Sequence, residues 1–108
     1  MSEIHNAYGR PWSRENVLEC VGPGWYTLVN RLIDDLFGLG WDGELHQIKE
    51  KFGGLRFYIG AASDEVFDRI LDAENESYKT CEQCGQPGKL RGDGWMYTAC
   101  DEHTRGKR

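Results

Sequence analysis

Four residues near the C-terminal end, Cys81, Cys84, Cys100 and His103, constrain this chain more than any other feature. Cys81-x2-Cys84 and Cys100-x2-His103 are two close ligand pairs with fifteen residues between them. Each x2 pair lets one tight turn supply two ligands, and thiolates with imidazole form the donor set that zinc prefers. The insert supports this reading. Gly85 and Gly88 let the chain reverse, and Lys89 to Arg91 and Trp95 to Ala99 predict strands around a Gly92-Asp93-Gly94 turn. Such a hairpin brings the ligand pairs together as a zinc ribbon. The alternatives are disulfides or unliganded cysteines. Disulfides belong to oxidising compartments, and the N-terminal MSEIHNAYGRPW lacks the charged and apolar regions of a secretion signal. The expectation is therefore one structural zinc in a reducing, cytoplasmic setting. Four protein ligands close the shell and leave no position for an activated water, which speaks against catalysis at the metal. A zinc-deaminase reading also fails, because no His-x-Glu precedes the cysteine pair.

With 108 residues, part of them committed to the metal segment, the remaining core is small and gains from such a staple. Hydrophobic residues at 39% and charged residues at 29% describe a globular chain rather than a disordered one. No apolar run approaches the roughly 18 residues of a membrane span. The net charge of −5 is uneven: residues 1–78 hold 7 basic and 14 acidic side chains, whereas residues 79–108 hold 6 and 4. Zinc on three thiolates brings the tail to about +1. An acidic chain repels nucleic acid on average, so any such contact must be local.

Residues 1–11 read as an irregular arm. Ser13 is placed to cap a short helix ending near Cys20, with Trp12 and Val17 spaced as a hydrophobic staple. A second helix is predicted over roughly 23–37, opened by Pro23 and closed by Gly38, with Trp25, Leu28, Val29, Leu32, Ile33 and Leu36 as its apolar stripe. Residues 45–60 predict a β-hairpin around a Gly53-Gly54 turn. That register pairs Phe52 with Leu55 and Lys51 with Arg56. It puts Ile48, Phe52, Leu55, Phe57 and Ile59 on one face and Gln47, Lys49, Lys51, Arg56 and Tyr58 on the other. Glu50 falls on the apolar face and fits poorly. A third helix, about 64–79, is capped by Ser63 and turns Val66, Phe67, Ile70, Leu71 and Tyr78 inward, with Asp64, Asp68, Asp72 and Glu76 repeating on the opposite side. The expected architecture is α+β: helices packed on a β-hairpin in residues 1–79, and a Cys3His zinc ribbon with a basic tail in residues 80–108.

Three surfaces are candidates for binding a partner. The basic hairpin face offers Lys49, Lys51, Arg56 and Tyr58. Its cross-strand like charges are mildly destabilising and invite an anion, although a solvated strand face explains it equally well. The acidic stripe of Asp64, Asp68, Asp72 and Glu76 opposes its own helix at i, i+4. Solubility explains it, as does docking on a basic groove. The zinc hairpin offers Arg91, Trp95, Met96 and Tyr97, residue types that anchor interfaces. Packing of Trp95 on the main body is the alternative. Cys20 reads as a buried structural cysteine, since neither His5 nor His46 stands in a recognisable catalytic context. Gly53-Gly54 is a turn rather than a phosphate loop.

Gly24-Trp25 with the helix after it, the string Gln47-Ile48-Lys49-Glu50-Lys51-Phe52-Gly53-Gly54-Leu55-Arg56-Phe57-Tyr58, and the Cys81-x2-Cys84-Gly85 and Cys100-Asp101-x-His103 pairs together resemble small zinc-ribbon proteins of bacteriophages and bacterial mobile elements. The resemblance spans about residues 22–104 and carries no established activity. It implies a small protein that acts on host machinery, such as a defence nuclease or RNA polymerase. The leading expectation is a non-enzymatic, phage-type protein in the host cytoplasm. It would dock on a host protein, a CRISPR effector in the anti-CRISPR manner or a transcription component, and inhibit or modulate it. The alternative is a zinc-dependent nucleic-acid-binding regulator. A metal- or thiol-dependent enzyme is the weakest reading. The two charged faces neutralise each other within one molecule or across a homodimer; the sequence leaves both open.

Overall fold

Leu28, Val29, Leu32, Ile33 and Leu36 recur at helical spacing, and in the computed structural model, which describes residues 3–92 and 94–104, all five are buried along one face of a helix. The elements are β1 (Ile4–His5), β2 (Pro11–Trp12), α1 (Arg14–Leu18), α2 (Tyr26–Gly38), β3 (Leu45–Lys51), β4 (Gly54–Ile59), α3 (Asp64–Ser77), β5 (Lys89–Arg91) and β6 (Tyr97–Ala99). The strands form three separate antiparallel pairs, β1–β2, β3–β4 and β5–β6, so the fold is α+β with small sheets.

The N-terminal segment is more ordered than an irregular arm. Ile4 pairs with Trp12 and is buried, and the His5 amide donates to the Gly43 carbonyl at 2.9 Å. The expected caps are present. Ser13 Oγ accepts the Asn16 amide at 3.0 Å, and Ser63 Oγ accepts the Val66 amide at 3.3 Å. Pro23 opens a 3-10 turn, Pro23–Trp25, that leads into α2. α2 does end at Gly38, but the left-handed residue that closes it is Gly40, φ +96°, where the amides of Gly40 and Trp41 bond the carbonyls of Phe37 and Leu36. This is a Schellman closure, and it needs the left-handed residue at Gly40 rather than Gly38.

The β3–β4 turn is shifted by one residue from the expected one. Lys51 pairs with Gly54, Glu50 with Leu55, Lys49 with Arg56 and Ile48 with Phe57, so the turn residues are Phe52 and Gly53 at φ +55° and +84°. Partners move by two residues and the two faces survive, except that Phe52 leaves the apolar face and is 61% exposed. Lys51 consequently does not face Arg56; Lys49 does. Glu50 also finds its role, because its carboxylate accepts the Gly53 amide at 2.7 Å and holds the turn.

α3 lies beside β4 and α2. Leu55 sits at a non-hydrogen-bonded position of the ladder, so its amide points outward. The buried Ser77 Oγ accepts it at 2.9 Å while donating to the Glu74 carbonyl. The helix thus covers the β4 edge. This docking buries Val66, Ala73 and Ser77 and leaves Phe67 and Leu71 exposed, contrary to the broad inward face expected of α3. Ile48, Leu55, Phe57, Val66 and Ala73 share one core with Trp25, Trp41 and the α2 stripe. Cys20 is exposed rather than buried, because α1 ends at Leu18 and turns its thiol toward the Asn16 carbonyl at the surface.

A second buried cluster, Cys81, Tyr97, Ala99 and Cys100, lies in the C-terminal segment. The Trp25 indole donates to the Thr80 carbonyl at 2.8 Å, the Gly24 amide to the Glu82 carbonyl at 2.8 Å, and Thr98 Oγ1 to the Gly53 carbonyl at 2.6 Å. No helix among the described residues is long and apolar enough to cross a membrane.

Candidate metal centre

Past the end of α3 the chain makes a tight knuckle. The Cys81 amide donates to the Gln86 carbonyl at 2.9 Å, and the Gly85 amide to the Cys81 carbonyl at 3.0 Å. Gly85 takes φ +82°, which glycine adopts without a Cβ penalty. The Gln83 amide points at the Cys81 sulfur at 3.4 Å. β5 and β6 then pair Lys89 with Ala99 and Arg91 with Tyr97, returning the chain to the knuckle. The strand expected from Trp95 begins only at Tyr97; Asp93 of the expected turn and the basic tail 105–108 lie outside the described residues. A 3-10 turn, Asp101–His103, folds His103 back over Cys100, its amide bonding the Cys100 carbonyl at 3.1 Å.

The four donor atoms come within 4.8 Å of one another. Cys84 and Cys100 sulfurs are 3.7 Å apart, and His103 Nδ1 lies 3.6 Å from the Cys81 sulfur and 3.2 Å from that of Cys100. A tetrahedral ion with metal–sulfur bonds of about 2.3 Å requires sulfur–sulfur edges of about 3.8 Å. The residues present fit one such ion, with His103 ligating through Nδ1. Cys81 and Cys100 are buried, His103 half-buried and Cys84 exposed.

Electrostatics favour the thiolate at Cys81 and Cys100 and oppose the ligating state at Cys84 and His103. The Gln86 amide lowers the Cys84 thiol, but burial and the neighbouring Cys100 and Cys81 sulfurs outweigh it and raise the group. Burial would raise the Cys81 thiol, but the amides of Cys100, Gln83 and Cys84 outweigh it and hold the group down to about 6. Cys100 is likewise lowered against its burial, chiefly by the His103 hydrogen bond. The Cys100 and Cys81 sulfurs raise the His103 imidazole. A metal entering the site displaces that proton.

Sequence reasoning passed over the residues that seat this segment. Gly22 and Gly24 read as a chain break, yet a Cβ on Gly24 would overlap the Cys81 carbonyl, and one on Gly22 the Glu82 carbonyl. They are glycines because two backbones meet there. Trp25 read as core stripe, and its indole also holds Thr80 next to the first ligand. Glu82, between the first two cysteines, accepts the Thr98 amide through its carboxylate at 2.7 Å. The Gly-x-Gly-Trp spacing was the available signal.

Of the surface candidates, Lys49, Lys51, Arg56 and Tyr58 do share one face of the hairpin. Arg56, however, is committed to Glu74 at 2.8 Å and the Tyr78 hydroxyl at 3.3 Å. Asp64, Asp68 and Asp72 are exposed on α3, whereas Glu76 pairs with Arg31 at 3.0 Å. Arg91 is held by the Ala99 carbonyl and Asp101 at 2.8 Å each, and Trp95 is 75% exposed rather than packed on the main body. No protein-family model, curated protein or solved structure matches the chain.

Proposed function

We propose that the chain is a non-enzymatic binding protein in which one zinc ion locks residues 81–103 as a zinc ribbon, and that it acts by docking on another protein. The observation that carries this reading is the convergence of four protein donors, enough to fill a tetrahedral shell. Such a centre holds a scaffold and offers no open position to a substrate. Three thiolates and an imidazole favour zinc over hard cations such as magnesium or calcium. Elemental analysis of the untagged protein is expected to give one zinc per chain; a metal-free folded chain overturns the reading.

The exposed aromatics support docking, since aromatic anchors dominate protein interfaces. The likeness of the Gln47–Tyr58 string to phage and mobile-element proteins points to a host protein in the bacterial cytoplasm, a defence effector such as a CRISPR nuclease or a transcription component, that is blocked or modulated. Affinity capture from host lysate with wild type, with Lys49→Glu/Lys51→Glu and with an α3 charge variant tests this. Capture that neither variant diminishes removes both charged faces.

One observation favours the alternative of nucleic-acid binding. Phe52, Trp95 and Met96 line a cleft with Lys51, whose ammonium lies 5.5 Å from the Phe52 ring centre. Exposed rings beside a lysine suit base stacking and a phosphate. A low-salt gel shift with single- and double-stranded probes decides it: a Trp95→Ala-sensitive shift supports this reading, and no shift removes it.

A further inference from the structure

An apolar groove runs between α3 and β4, lined by Tyr58, Ile59, Phe67, Ile70 and Leu71, with the Arg56–Glu74 ion pair in its wall. It is the consequence of how α3 docks. Ser77 fastens the helix to the β4 edge through the Leu55 amide, and that rotation turns Phe67 and Leu71 out of the core. They stand one helical turn apart, 46% and 53% exposed, opposite Tyr58 at 43%. Apolar side chains at i and i+4 on an exposed helix face, continuous with an exposed strand tyrosine, form a contact strip that no described residue covers.

The border of the strip specifies the chemistry of its occupant. Asp64 and Asp68 lie one turn from Phe67 and Leu71 on the solvent side of the strip, and Asp72 continues the row. Among the described residues none of the three aspartates makes an ion pair. The nearby cations are spent elsewhere: Arg56 on Glu74 at 2.8 Å and Arg69 on Asp35 at 2.9 Å. The row spans two helical turns, about 12 Å at 1.5 Å per residue, and its like charges oppose the free helix.

We propose that this groove docks a basic amphipathic helix of a partner protein. Apolar side chains at i, i+3 or i+4 enter between Tyr58, Phe67 and Leu71, and Lys or Arg side chains at helical spacing pair with Asp64, Asp68 and Asp72. The partner's cations relieve the self-repulsion of α3. The inference rests on the reading of the chain as a protein-docking module and names the partner's class: a cationic, apolar-striped helix, not an acidic one.

The test uses the full metal-loaded chain and fluorescence anisotropy with three labelled peptides of about 14 residues: a Leu–Lys peptide of amphipathic pattern, a scramble of identical composition, and a Leu–Glu peptide of the same pattern, at about 0.15 M salt. The patterned Leu–Lys peptide is expected to bind at least about tenfold more tightly than its scramble, and the Leu–Glu peptide not at all. Phe67→Ser/Leu71→Ser should weaken that binding about tenfold in a chain that still folds with a small drop in melting temperature, because both side chains are about half exposed. Asp64→Asn/Asp68→Asn/Asp72→Asn should weaken it and flatten its salt dependence. Equal affinity for the scramble, no binding of the patterned peptide, or indifference to the Phe67/Leu71 change overturns the proposal. So does a sedimenting dimer that Leu71→Arg splits, because a second copy then covers the groove. If a captured host protein is retained by Phe67→Ser/Leu71→Ser, the groove is eliminated while the docking reading stands.

Discussion

Chelating the metal should release the C-terminal segment while leaving the main core folded, and the size of the effect follows from how the two parts touch. Among the described residues of 80–104 only Cys81, Tyr97, Thr98, Ala99 and Cys100 are buried, against a core that holds Trp25, Trp41 and the whole α2 stripe. That is too little apolar surface to order some two dozen residues, each costing about 1–2 kcal/mol of backbone entropy. A structural zinc supplies on the order of 10–16 kcal/mol, so the segment should not stay folded without it. Apart from the bonds at the α3 junction, the main core then loses three hydrogen bonds between residues distant in sequence, namely the Trp25 indole to Thr80, the Gly24 amide to Glu82, and Thr98 Oγ1 to Gly53. At about 1 kcal/mol net each, the loss is roughly 3 kcal/mol, or some 10–25 °C in melting temperature for a domain of this size. Hydrogen exchange before and after chelation measures this. Protection should vanish at the amides of Cys81, Gly85, Thr98 and His103 and persist in α2. The reasoning is refuted if the metal-free chain keeps its C-terminal protection, or if α2 loses its own in the same step.

Three further outcomes are expected. Ser77→Ala leaves the buried Leu55 amide without an acceptor and should cost about 1–3 kcal/mol in denaturant unfolding at unchanged metal content; a neutral result removes the proposed seating of α3 on the β4 edge. Metal affinity should fall with pH, because protons compete for the thiolates and the imidazole. Cys84 and His103 are raised whereas Cys81 is depressed to about 6 and Cys100 is lowered, so protons compete first at Cys84 and His103 and then at Cys81, and the stabilisation from the ion shrinks as pH drops; full retention after dialysis at about pH 4 contradicts it. A double-mutant cycle on Arg56 and Glu74, a pair 21% and 31% exposed, should return a coupling of about 1 kcal/mol, diminished by salt, and zero coupling means that Lys49 and Arg56 tolerate each other without help.

What the sequence determined by itself was whatever depends on neighbours along the chain. A ligand pair at x2 spacing, a serine before a helix, and an apolar stripe at 3.6-residue period are local patterns. Cys81, Cys84, Cys100 and His103, the caps Ser13 and Ser63, and the inner face of α2 stand where the spacing put them. The tertiary structure decided what depends on contacts distant in sequence. Either Gly53-Gly54 or Phe52-Gly53 could have turned the hairpin locally. The second is the one formed although Phe52 takes a left-handed φ of +55°, and it sets Gly53 against Leu90 and Tyr97 and Gly54 beneath the Tyr78 ring, which a Cβ on Gly54 would overlap. The exposure of Phe67 and Leu71 has the same kind of origin. Their apolarity is written in the chain, but which side of α3 faces inward was set by Ser77 reaching an amide 22 residues away in sequence. Local periodicity fixes a helix's stripe, and only its docking partner fixes the rotation about its axis.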